Sequence, residues 1–146
     1  MNKVKDIKLS DYIKGNTTIQ RFEYAEVDGW AELIGWQLIV FRRENNGTIS
    51  AISIEYMTEP VFKDISNRIL SDIGLPFKAG MSIASIISYL GSSFKTDLIF
   101  ENHARFYFDK SDYLIVCSVH DENGLTGIEI IFDEEVKRNR LEWLNK

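Results

Sequence analysis

Two histidines, His103 and His120, and one cysteine, Cys117, are the side chains of this sequence best suited to metal ligation or nucleophilic work. Metal sites space their ligands in short, recurrent patterns, such as paired cysteines or two histidines one helical turn apart. Neither histidine stands in such a spacing with the cysteine or with carboxylates, so no metal ligand set is expected. Cys117 lies among Ile115, Val116 and Val119, a setting for a packed thiol rather than the electropositive, partly exposed one that a reactive thiolate needs. Serines at 82, 85, 88, 92 and 93 are dense, but none sits in a G-x-S-x-G elbow, and their spacing suits caps and the polar face of a helix. Gly74 and Gly80 lack the strand, lysine and hydroxyl order of a phosphate loop. No catalytic residue and no cofactor site is assigned, and the chain is expected not to be an enzyme.

Recognition chemistry is better represented. Glu101, His103, Arg105 and Tyr107 alternate with Phe100, Ala104, Phe106 and Phe108, which places the first set on the polar side of a strand. Arginine and tyrosine are frequent anchors of protein interfaces. With Glu129 from a later strand these residues form the first candidate surface for a protein partner; a plain solvated sheet face is the alternative. A second candidate is the acidic stretch Glu23, Glu26, Asp28 and Glu32, interrupted by Tyr24 and Trp30. Glu26, Asp28 and Trp30 could there meet a basic partner as charges around an aromatic anchor, or form an ordinary exposed edge.

The elements that must position these residues follow from period and punctuation. Ser10 would cap a short helix over Leu9 to Lys14, and Thr17 to Val27 reads as β-rich. From Ile34 to Tyr56 two β-prone runs flank Asn45-Asn46-Gly47-Thr48, and Asn-Gly supplies the positive φ angles of a hairpin; Ile52, Ile54 and Tyr56 are expected on one face. The period then changes. Val61, Phe62, Ile65, Ile69, Leu70 and Ile73 form a helical stripe that begins at Pro60 and stops at Gly74. Ser82 caps a second helix with Ile83, Ile86, Ile87 and Leu90 on one side and Gly91 at its end. Asp97 to Phe108, Tyr113 to His120 and Gly127 to Phe132 read as three strands of an antiparallel meander. Asp133 opens a last helix, docked by Val136, Trp143 and Leu144, whose charge order suits the helix dipole.

Leu38-Ile39-Val40 recurs as Leu114-Ile115-Val116, and each triplet precedes an Asn-Gly turn and an alternating strand. The repeat predicts two tandem related units, 1–74 and 75–146, within a single domain spanning 1–146; two hairpins built from the same common residues are the alternative. The expected fold class is α+β, an antiparallel sheet of two related β-rich units with helices packed on one face.

The totals bound the function classes. Lys and Arg number 17 against 22 Asp and Glu, a net charge of −5. Phosphate recognition needs a clustered basic surface, so nucleic acid is not an expected partner; a negative field favours a basic protein instead. A lone cysteine excludes an intrachain disulfide. The opening Met1-Asn2-Lys3-Val4-Lys5-Asp6 lacks a signal-peptide apolar stretch and no run reaches transmembrane length, so the chain is expected in the cytoplasm and away from membranes.

Leu75, Lys78, Gly80-Met81-Ser82 and Leu90-Gly91, followed by aromatic strands, resemble the repeat shared by small outer-membrane-assembly lipoproteins and β-lactamase-inhibitor-protein-like domains, over roughly residues 75 to 132. The resemblance implies a helical element on an antiparallel sheet, doubled into a broad protein-binding surface. Taken with the acidic charge and the lack of a catalytic set, it leads to the expectation of a bacterial immunity protein that neutralises a basic toxin domain by steric and electrostatic blockade. Two other classes stay open: a small-molecule-binding or enzymatic domain with a pocket between the sheet and the Pro60 to Ile73 helix, and a structural adaptor or homodimer joined through an exposed strand edge.

Overall fold

A computed structural model describes residues 20–23, 29–34, 37–93 and 95–145. The expected helix at Leu9 to Lys14 and the candidates Glu26 and Asp28 lie outside the described residues. The class is α+β: among the described residues eight antiparallel strands form one sheet with three helices against it. The strands are β1 (Gln20–Glu23), β2 (Gly29–Ile34), β3 (Leu38–Arg43) and β4 (Ile49–Ile54), then β5 (Lys95–Phe100), β6 (His103–Asp109), β7 (Leu114–His120) and β8 (Gly124–Ile131). The helices are α1 (Pro60–Ile73), α2 (Ile83–Leu90) and α3 (Glu134–Leu144). Their order across the sheet is β1-β2-β3-β4-β8-β7-β6-β5, so each half of the chain contributes four strands and the halves meet where β4 pairs β8.

Both faces of the central strands are apolar, because neighbouring residues such as Ala51 and Ile52, or Leu114 and Ile115, are all buried. On one face Leu38, Val40, Ile52 and Ile54, with Ile115, Cys117, Ile128 and Ile130, pack beneath α1 and α2. On the other, Ala51, Tyr107, Leu114, Val116 and Ile131 meet Val136 and Leu144 of α3. The expectation of helices on one face therefore holds for α1 and α2 and is corrected for α3. A sheet with two apolar faces needs cover on both.

The punctuation acts where the residue types place it. Pro60 occupies the first turn of α1, Gly74 ends it, and Ser82 Oγ accepts the Ser85 N–H at 3.2 Å at the start of α2. The expected single strand Asp97 to Phe108 is instead two, β5 and β6, with Glu101 and Asn102 in the turn between them and Asn102 at φ +67°. An asparagine tolerates that left-handed backbone and supplies the turn without a glycine. The two Leu-Ile-Val triplets do not occupy equivalent places. Leu38 pairs with Ile54 on the α1 face, whereas the residue so placed in the second half is Ile115, opposite Ile130, and Leu114 points to the α3 face.

Candidate functional site

Alternation in five strands aims one row of side chains at α3. Following the cross-strand partners, Ile39 faces Ser53, Ser53 faces Glu129, Glu129 faces Val116 and Val116 faces Tyr107. The neighbouring row runs Asp97, Arg105, Ser118, Gly127. Large side chains in these rows would close the space under α3, but Ser53, Ser118 and Gly127 are small. The result is a half-open groove of about 700 Å³ between the sheet and the helix, within the size range of binding clefts. Its roof is one stripe of α3, Asn139, Arg140, Glu142 and Trp143, residues three or four apart that share a helix face. This groove lies on the α3 face of the sheet, whereas the pocket of the alternative reading would lie on the other face, beneath α1.

Charge inside the groove is mostly spoken for. Arg140 reaches down from α3 to Glu129, with Nη1 donating to Oε1 at 2.7 Å and Nη2 to Oε2 at 3.3 Å. Arg105 Nη2 donates to Asp97 Oδ2 at 3.3 Å, while its buried Nε has no hydrogen-bond partner among the described residues. Glu55, at the end of the floor, and Glu142, on the roof, are exposed and make no ion pair among the described residues. With two guanidiniums matched by Glu129 and Asp97, these carboxylates leave the groove net negative. Trp143, 57% exposed, stands at its rim, so the expectation that it docks α3 holds only for Val136 and Leu144.

The sequence-derived contact residues separate in space. Arg105, Tyr107 and Glu129 come together in the groove. Tyr107, however, is 0% exposed and belongs to the core under α3, so it is no outward anchor; burial pushes its hydroxyl pKa up. His103 lies further along β6, its Nε2 2.8 Å from Thr126 Oγ1 and its ring against Phe100 and His120. Glu101 is exposed in the β5–β6 turn. Trp30 is across the sheet on β2, its Nε1 donating to Glu32 at 2.9 Å. The roof stripe and Glu55 escape a reading based on single strands. The signal for the stripe is the polar spacing of Asn139, Glu142 and Trp143 beside the apolar docking residues of α3.

Cys117 is buried and its pKa is pushed up to about 12 by burial, so it stays a thiol. Among the described residues no group of three or more His, Cys, Asp or Glu side chains could hold a metal ion, and no helix is long and apolar enough to cross a membrane.

No protein-family model and no curated protein matches the chain. Among solved structures, a DUF4309 family protein, YjgB from Bacillus subtilis subsp. subtilis str. 168, is similar with 11% identity and a TM-score of 0.43, over 82% of this chain and 67% of that one. A likeness at that level carries no argument about function.

Proposed function

We propose that this chain is a non-enzymatic protein-binding domain of the cytoplasm whose groove under α3 receives a basic segment of a partner, and that the partner is a toxin kept inactive by that contact. The observation that carries the reading is the charge arrangement of the groove: both guanidiniums are engaged by carboxylates, while Glu55 and Glu142 face solvent without a cationic partner among the described residues. A partner lysine or arginine would complete them, and the chain's net charge of −5 would speed its approach. Blockade would be steric, through insertion of the segment, and electrostatic, through neutralisation of basic groups that the toxin needs for its own target. A small-molecule site of this volume is commonly enclosed and largely apolar; a half-open cleft with charged walls suits a chain segment better.

The test is co-expression with the product of the adjacent gene, scored by cell survival and by co-purification. Rescue from an otherwise lethal level, lost on Glu142→Lys, is the expected result. A toxic neighbour that is neither bound nor neutralised would sink the proposal.

A further inference from the structure

Among the described residues, positive φ angles occur at Gly47, Gly74, Gly80, Gly91 and Gly124, and at two residues with a side chain, Asn102 and Tyr56. Asparagine tolerates that region, but a bulky side chain there is strained. Tyr56, at φ +54°, is also 65% exposed, so burial of its ring does not offset the strain. The backbone on either side leaves it no choice. Gln37 Nε2 donates to the Glu55 carbonyl and to Ser66 Oγ on α1, the Met57 N–H donates to the Thr126 carbonyl at 2.8 Å, and the Met57 side chain is wholly buried. The chain is thus pinned on both sides of one residue, which is turned outward beside Glu55 at the end of the groove. Glycine would occupy the position at lower conformational cost, and strained, over-determined residues of this kind gather at functional sites.

We infer that Tyr56 is a partner-binding residue: its ring is the platform on which an arginine of the incoming segment stacks, between the carboxylates of Glu55 and Glu59. This deepens, and rests on, the reading of the groove as a site for a basic segment. Glu55 and Glu59 are both exposed and make no ion pair among the described residues. A guanidinium over a tyrosine face gains a cation–π contact and keeps its edge N–H groups free for flanking carboxylates. Glu55 lines the groove and Tyr56 follows it in the chain, while Glu59 caps α1 on the other face of the sheet, so the proposed segment would leave the groove past Glu55 and turn over the end of the sheet to reach Tyr56.

The experiment uses the full chain, ¹⁵N-labelled, titrated with a hexa-arginine peptide in 150 mM NaCl, together with melting curves of the variants. Amide shifts over residues 55–59 and on the Trp143 indole are expected. Tyr56→Gly should weaken the dissociation constant about five-fold while raising Tm by roughly 2–4 °C through loss of strain; Tyr56→Phe should change neither. Unchanged affinity in Tyr56→Gly, or a Tm that does not rise, overturns the inference. If Glu142→Gln weakens the peptide and Tyr56→Gly does not, only the role of Tyr56 falls. If Tyr56→Gly weakens it and Glu142→Gln does not, the Tyr56 platform stands and the groove reading falls. A wild-type chain that binds no peptide removes both.

Discussion

Arg140 on α3 grips Glu129 on β8 with two parallel hydrogen bonds, Nη1 to Oε1 at 2.7 Å and Nη2 to Oε2 at 3.3 Å, each side chain only about a fifth exposed. Glu129 sits in the middle of the sheet-floor row, so this pair is the strut that sets the height of the groove roof. Two-pronged, partly desolvated pairs exceed the usual worth of a surface ion pair. A double-mutant cycle with Arg140→Gln and Glu129→Gln, followed by urea denaturation, should give a coupling energy of about 1–2 kcal/mol. Additivity of the two single losses would refute the strut.

Tyr107 should behave as core and not as contact. Its ring is wholly buried with Leu114, Val116, Val136 and Leu144, and truncation of a buried aromatic costs about 3–5 kcal/mol through lost transfer energy and the cavity left behind. Tyr107→Ala is expected to lower stability by that amount, whereas an exposed interface residue stays within about 0.5 kcal/mol. A near-neutral Tyr107→Ala would return the residue to the surface.

What the sequence makes legible is what local chemistry decides alone. The helix Pro60–Ile73 carries its own start, stripe and stop, and Ser82 to Gly91 does likewise; both have the predicted bounds. The antiparallel meander of the second half is also local, since each strand pairs with its sequence neighbour. The site is less legible because it is assembled across distance. Arg105, Tyr107 and Glu129 are identifiable as one face, but whether that face is open depends on α3 crossing it. That crossing follows from the apolar character of Ala51, Leu114 and Val116 on the side opposite Ile52 and Ile115. A run in which every residue is apolar hides such two-sidedness, since no alternation marks either face. β2 is missed for a different reason: Gly29 to Ile34 mixes charge with aromatic and aliphatic residues, and its place is set by pairing with β3.

Gly124 opens β8 at φ +75°, and a Cβ there would stand 2.2 Å from the Gly80 carbonyl oxygen and 2.8 Å from that of Met81. Both are backbone atoms of the α1–α2 linker, which is itself tied to β8 by Gly80 N–H to the Leu125 carbonyl and Leu125 N–H to the Met81 carbonyl, each 2.9 Å. Neither side can give without breaking these bonds. Gly124→Ala should cost about 3 kcal/mol or more, conformational strain added to overlap. Gly47 is the control. Its φ is +67°, but an added Cβ would make only ordinary contact with Trp30 at 3.5 Å, so Gly47→Ala should cost about 1 kcal/mol. Chemical denaturation of the two variants separates them, and equal losses would mean that the linker is not held against the turn.

His103 should make stability sensitive to mild acid. Burial, and secondarily the neighbouring His120, holds its pKa below the ordinary imidazole value, which is about 6.5. The ring faces His120 at 5.9 Å between centroids and Thr126 through Nε2, so a proton placed on it must be accommodated beside a second imidazole. The unfolded chain therefore binds a proton at a higher pH than the folded one. Where the unfolded state holds more protons, stability rises with pH. The contribution is intact above about 6.5 and is lost progressively as the pH falls from there toward the lowered folded pKa. Carboxylates also titrate in acid, so the informative quantity is the difference between the wild type and His103→Gln, which keeps a hydrogen-bonding group and removes the titration. Urea midpoints at pH 5, 6, 7 and 8 should show a difference that is constant from 7 to 8 and shifts in favour of the variant below 6.5. Parallel profiles across the whole range would mean that the folded chain protonates His103 as readily as the unfolded one.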